Sequence, residues 1–170
     1  IKTWAGNQTS RDITGFSFKP DLVFVKSYSG TSAHHWRIFD SSRQRSGATD
    51  YAPWYASSTQ SEDYFNDGGH ISSFNDDGFS LIANPNGSTS NLGGNAGTNG
   101  IGTNYISYAW KKTPGVLDIQ TWAGDGTGKA ISHNLGRKPA MMIIKNRTSN
   151  VESQVYFDNE WMGATQKLKL

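Results

Sequence analysis

Lys19-Pro20-Asp21-Leu22-Val23-Phe24-Val25-Lys26 decides the fold, because it occurs twice. Its second form is Lys138-Pro139-Ala140-Met141-Met142-Ile143-Ile144-Lys145, 119 residues further on. Each version is a Lys-Pro turn, then an unbroken apolar run ending at a lysine. Proline at the start of a strand loses little, since its missing N–H is not yet needed by a ladder. A short continuous apolar run bounded by turn signals reads as a strand covered on both faces. Both runs are therefore expected to be central strands.

Working outward, Thr3-Trp4-Ala5-Gly6 recurs as Thr121-Trp122-Ala123-Gly124, and Arg37-Ile38-Phe39-Asp40 aligns with Val155-Tyr156-Phe157-Asp158, both at an offset of 118. Three blocks in one order with one-residue slippage mark an internal repeat. Trp36-Arg37-Ile38-Phe39-Asp40 alternates, which predicts a half-buried strand with Trp36 and Ile38 on one face. His70-Ile71 and Phe74, the turn Asn75-Asp76-Asp77-Gly78, and Phe79-Ser80-Leu81-Ile82 predict a hairpin. Residues 84–104, rich in Gly, Asn, Ser and Thr, read as a long surface loop, and Tyr105-Ile106-Ser107-Tyr108-Ala109-Trp110 as a strand. The resulting division is a complete repeat over residues 1–112, a linker over 113–117 and a partial repeat over 118–170.

Roughly seven or eight strands without helical periodicity predict an all-β antiparallel sandwich or jelly roll in the first repeat. The second carries apolar faces that it cannot cover alone. Either the chain continues, or these strands pack on the first copy, or a neighbouring chain completes them.

Composition agrees. Of 170 residues, 35% are hydrophobic and 12% aromatic, with 6 Trp, 7 Tyr and 8 Phe, enough for a core. Only 18% are charged, and 19 are glycine. The absence of cysteine excludes a disulfide scaffold and a thiolate metal site. A net charge of +2 with scattered basic residues argues against nucleic acid and anionic membrane as partners, and no stretch reaches the length of an apolar membrane span. The chain begins at Ile1, which leaves open a removed leader or an excerpt from a longer polypeptide.

The run from Thr121-Trp122-Ala123-Gly124-Asp125-Gly126 through Ser132-His133-Asn134-Leu135-Gly136-Arg137-Lys138-Pro139 to Lys145-Asn146-Arg147 resembles a repeated domain of tailed-phage virion proteins, common in marine phages and metagenomes. The first copy resembles a companion version, with Gly15-Phe16-Ser17-Phe18-Lys19-Pro20 in place of the Ser-His-x-Leu-Gly turn. The resemblance implies a concanavalin-like β-sandwich and a tail-fibre or other structural role. Two departures stand out: residues 51–65 are unusually aromatic, and the second copy lacks its closing strands.

Chemistry-bearing candidates are few. A glycosidase needs two facing carboxylates about 5–9.5 Å apart. The three glutamates, Glu62, Glu152 and Glu160, form no such pattern. Asp76, Asp77 and Asp125 could supply oxygens to calcium, although a type I′-like turn accounts for Asp76-Asp77-Gly78. Gly124-Asp125-Gly126-Thr127-Gly128-Lys129-Ala130 fails as a phosphate loop, because Ala123 and Ala130 stand where glycine and Ser/Thr belong. His34 and His35 point to opposite faces of a strand and cannot share one metal. His133 matches a turn residue that bonds to backbone. Arg43, Arg45 and Asp40 could form a structural ion pair. The sequons at Asn7, Asn86 and Asn146 matter only in a eukaryotic secretory pathway. No catalytic residue, cofactor or metal is implied.

The aromatic segment offers the binding candidates: Tyr51, Trp54, Tyr55 and Tyr64, beside Phe65, whose rings could stack on sugars while neighbouring Ser, Thr, Gln and Asn supply hydrogen bonds. The same rings could instead cap the core or fill a subunit interface. The expectation is a non-enzymatic virion structural protein (tail, fibre or capsid-appended domain) acting in assembly and host-glycan attachment. Its partners would be its own copies or other virion proteins and a host surface glycan. The alternatives are a secreted carbohydrate-binding or adhesion module, or an extracellular filament subunit completed by strand addition.

Overall fold

The computed structural model describes residues 1–30, 35–44, 50–56, 58–62, 69–82, 97–158 and 168–169. Its strands are β1 (Lys2–Ala5), β2 (Arg11–Thr14), β3 (Leu22–Ser29), β4 (Arg37–Asp40), β5 (Trp54–Tyr55), β6 (Ile71–Asn75), β7 (Gly78–Leu81), β8 (Asn104–Trp110), β9 (Met141–Ile144), β10 (Gln154–Phe157) and β11 (Leu168–Lys169). The described residues include no helix. All strand pairs are antiparallel. They form one sheet of order β1-β8-β3-β4-β5, a second of order β2-β7-β6 and a third of order β11-β10-β9.

The first two sheets make the sandwich that the sequence pattern predicts. Trp4, Val23, Val25, Phe39 and Tyr105 from the five-stranded sheet meet Ile13, Ile71, Phe74, Phe79 and Leu81 from the three-stranded one, with Phe16 at the margin. Trp4 stacks on Tyr105 at 5.7 Å and meets Phe79 edge-on at 6.2 Å. Each fully buried side chain of this size stabilises the fold by about 1.5–3 kcal/mol relative to exposure.

Local expectations are corrected in four places. β4 is buried along its whole length rather than by half, because Phe39 enters the core while Ile38, on the other face, is flanked by its large cross-strand partners Phe24 and Trp54. Trp36 and Ile38 do share a face, since Ile38 pairs with Phe24 and Phe39 with Val23. Next, the end of the expected surface loop is interior: residues 97–100 are buried. The Thr98 carbonyl accepts the Trp4 indole N–H at 2.9 Å, and Asn99 gathers the turn after β1 through the Asn7 N–H, the Asn7 side chain and the Thr9 carbonyl. Residues 84–96 of that loop lie outside the described residues.

The third correction concerns the β6–β7 turn. A type I′ turn needs positive φ at both central residues, and neither Asp76 nor Asp77 has it. Gly78 serves packing instead: a Cβ there would lie 1.9 Å from the Ile13 carbonyl oxygen, so glycine lets β2 close on β7. Lastly, Met141–Ile144 is not central. It has a single described neighbour, β10, and lies at a sheet edge, with Met141 51% and Met142 44% exposed. Apolar character made it a strand, but no described element covers it.

The linker is a closed turn. Thr113 and Leu117 bridge each other, and Arg137 donates to the Gly115 carbonyl. Asp118 accepts from the Asn134 and Ile119 N–H groups, the Gln120 amide and Lys112. These bonds, the Asn134 N–H foremost, hold its carboxyl well below the usual range.

The third sheet also rests on the first unit. Glu62 N–H donates to the Arg147 carbonyl, Ser61 N–H to Asn150 Oδ1, and the Lys145 ammonium to the carbonyls of Ser58, Thr59 and Val151. Burial lowers the pKa of Lys145.

Candidate functional site

Residues directly opposite in an antiparallel ladder share a face. Val23, Val25 and Ser27 of β3 pair with Ala109, Ser107 and Tyr105 of β8, all facing the core side. The alternate set must face away. Phe24 pairs with Tyr108 on one side and with Ile38 on the other, and Ile38 pairs with Trp54. A row of Trp54, Ile38, Phe24 and Tyr108 thus crosses four strands on the outer face. Trp36 and Trp110 extend it, each two residues along from a member of the row.

Four of these rings touch. Phe24 meets Trp110 edge-on at 5.1 Å and Trp36 at 6.4 Å, Trp36 meets Tyr108 at 5.9 Å, and Tyr108 lies nearly parallel to Trp110 at 6.3 Å. None belongs to the buried core. Trp110 is 41% exposed, and Phe24, Trp36, Trp54 and Tyr108 are half-buried. Asp21 fixes one end of the platform: its carboxylate accepts from the Ser41 hydroxyl at 2.7 Å and from the Lys112 N–H at 2.8 Å. It thereby ties the ends of β3, β4 and β8 together. Exposed Lys111 follows Trp110 directly. Flat rings on a rigid sheet, beside a cation, suit a ligand with an apolar face and polar edges, as a sugar ring has.

The structure separates the four expected glycan residues. Trp54 joins the outer row. Tyr55 is 1% exposed and faces inward with Arg37, whose guanidinium lies 5.3 Å from its ring centroid. Tyr51 packs against the core and meets Phe74 edge-on at 4.8 Å. Tyr55 is thereby closed off, while half-buried Tyr51 lies on the core side, away from the outer row. Tyr64 and Phe65 lie outside the described residues, as do His34, Arg45, Asn86 and Glu160. Sequence reading missed Phe24, Trp36, Tyr108 and Trp110 as a group. The available signal was parity: these rings occupy positions alternate to those of the core.

The remaining candidates are held in structural bonds. Asp77 accepts from the Gly15 and Ser17 N–H groups at 2.9 and 2.6 Å; these bonds, Ser17 first, lower its pKa. Asp125 closes a turn on the Thr127 N–H and hydroxyl, which lowers its pKa. Lys129 of the same loop returns to the Ala123 carbonyl. His133 Nδ1 accepts the Leu135 N–H. Glu62 bridges Arg43 and Arg147, and Arg43 also pairs with Asp40. A buried hydrogen-bonded pair, His70 Nδ1 with Asp50 Oδ2 at 2.7 Å, joins residues 20 apart that no motif links. Among the described residues no group of three His, Asp or Glu side chains could hold a metal ion.

No curated protein and no solved structure matches the chain. All of it, residues 1–170, matches the family described as a domain of unknown function, DUF7483, and the protein belongs to that family.

Proposed function

We propose that the protein is a non-enzymatic virion structural module, of tail, fibre or capsid-appended kind, that attaches to host-surface glycan through the outer aromatic face of its five-stranded sheet. The observation that carries the binding role is the cluster of Phe24, Trp36, Tyr108 and Trp110, which lies outside the core and offers ring surface to solvent. The virion setting rests on the sequence resemblance. A structural rather than acid–base part for Glu62 is supported by its two arginine partners.

A glycan array probed with the full chain tests the binding role. The expected result is retention of a defined set of sugars, weakened by about 30-fold or more in Trp110→Ala and Trp36→Ala, the scale of a central aromatic anchor. Absence of glycan binding by the unaltered chain would remove the attachment role. Equal binding by both variants would move the site elsewhere. Peptides of this chain in gradient-purified phage particles would support the virion setting, and their recovery only from cell-surface fractions would favour a secreted carbohydrate-binding module.

A further inference from the structure

Cross-strand register lays the outer side chains of the five-stranded sheet in three rows. The first crosses Trp110 of β8, Leu22 of β3 and Asp40 of β4. The second is the row of Tyr108, Phe24, Ile38 and Trp54. In the third, Thr3 of β1 faces Ile106 of β8, and Ile106 faces Lys26 of β3. Because Val25 faces Arg37, Trp36 stands level with Lys26 on the other side. Burial along β3 alternates through Lys26, which puts this lysine on the outer face with Phe24.

Charge is spread unevenly over these rows. At the Trp110 end both signs meet. Asp40 is buried and pairs with Arg43. The Asp21 N–H donates to the Trp110 carbonyl and its carboxylate accepts the Lys112 N–H, which sets Asp21 against the segment that carries exposed Lys111. The middle row is uncharged. In the third row the charged residue is Lys26, half-buried and placed between Ile106 and Trp36, inside the face rather than on its rim. A lysine stem covers apolar surface while its ammonium reaches water, and a charge beside apolar walls attracts an opposite charge more strongly than it does in bulk water. Positions two apart on a strand are roughly 7 Å from each other. A sugar ring stacked over Phe24 and Tyr108 therefore brings one edge to the Lys26 ammonium.

We infer that the sugar recognised by this platform is acidic: a ring of uronic-acid type, with its apolar face on Phe24 and Tyr108 and its carboxylate at Lys26. A carboxylate borne on the ring itself reaches the ammonium and leaves the ring face free to stack. The Trp110 end, where the charges offset one another, makes no such demand on the neighbouring sugar. The inference rests on the glycan reading of the platform and adds Lys26 to it as the residue that sets specificity.

The test is an array carrying uronic-acid oligosaccharides beside the same oligosaccharides with their carboxyl groups reduced to alcohols, probed with the full chain. Reduction removes the charge and keeps the rings. The acidic forms should bind at least about tenfold more tightly, the scale of one charge-assisted hydrogen bond, and the preference should shrink as salt rises. Lys26→Met should bind both forms alike, at the level the unaltered chain shows for the reduced form, while Lys26→Arg keeps the preference. Trp110→Ala should weaken both forms together. Equal binding of the two forms by the unaltered chain, or a preference that survives in Lys26→Met, would overturn the inference and leave the glycan reading standing. Binding of no sugar at all would remove the glycan reading and this inference with it. The comparison on the unaltered chain decides the matter even if Lys26→Met fails to fold.

Discussion

Two glycines at the same place in the repeat differ sharply in what surrounds them. A Cβ on Gly6 would lie 1.9 Å from the Gly100 carbonyl oxygen, whereas one on Gly124 would meet nothing within 4 Å. Neither has positive φ, so the contrast is one of neighbours, not of backbone conformation. Gly6 admits the buried 97–100 segment against β1; among the described residues no such segment lies beside Gly124. Gly6→Ala should therefore destabilise by about 1–3 kcal/mol through overpacking. Gly124→Ala should be neutral or stabilising by up to about 1 kcal/mol, because alanine restricts the unfolded chain. Urea unfolding midpoints of the two variants check this, and equal losses would contradict it.

At the scale of the element, the Asp76-Asp77 turn does more than join β6 to β7. The carboxylate of Asp77 gathers the 15–17 turn, where Ser17 has a φ of 62° and Gly15 one of 86°. Hydrogen bonding to the ionised form lowers the folded-state pKa below the ordinary 3.8. The unfolded state then binds the proton more readily, so this contribution is fully present above about pH 4 and is lost as pH falls through the folded value. Asp77→Asn should be less stable than the unaltered chain at neutral pH, with the gap narrowing below the ordinary carboxylate value. Stability measured from pH 7 to pH 2 checks the sign; a constant gap would exclude the carboxylate as its source.

Strands were the legible elements. Apolar runs and alternation place β3, β4, β6, β7, β8, β9 and β10, because the two-residue period is a property of the chain alone. Burial was less legible, since it belongs to partners. Met141–Ile144 reads like Leu22-Val23-Phe24-Val25, yet Met141 and Met142 lie exposed, because no described element covers them as the second sheet covers Val23 and Val25. Residues 97–100 read as polar loop yet lie inside, because small residues fit under Trp4 and the turn after β1. The same limit explains the site: Trp54 was found through local aromatic density, whereas Phe24, Trp36, Tyr108 and Trp110 converge only through cross-strand register.

At the scale of the whole molecule, residues 58–62 tie the half-sheet to the sandwich among the described residues, and Glu62 is the centre of that tie. It accepts from Arg43, whose side chain is 5% exposed, and from Arg147, which is 43% exposed. Removing the Glu62 charge leaves the buried Arg43 guanidinium with Asp40 as its remaining carboxylate partner, a loss of about 1–3 kcal/mol. Arg147→Ala loses only an exposed partner and should cost less than about 1 kcal/mol. The two variants should also differ in where the loss is felt. In Glu62→Gln, hydrogen exchange should quicken over Gln154–Phe157 and Met141–Ile144 more than over Gly78–Leu81, because the tie holds the half-sheet and not the sandwich core. Uniform quickening across all three strands would instead mean that both sheets unfold as one cooperative unit, with the ion network inside it. Exchange quickened in β9 and β10 alone would show that the half-sheet can open while the sandwich persists.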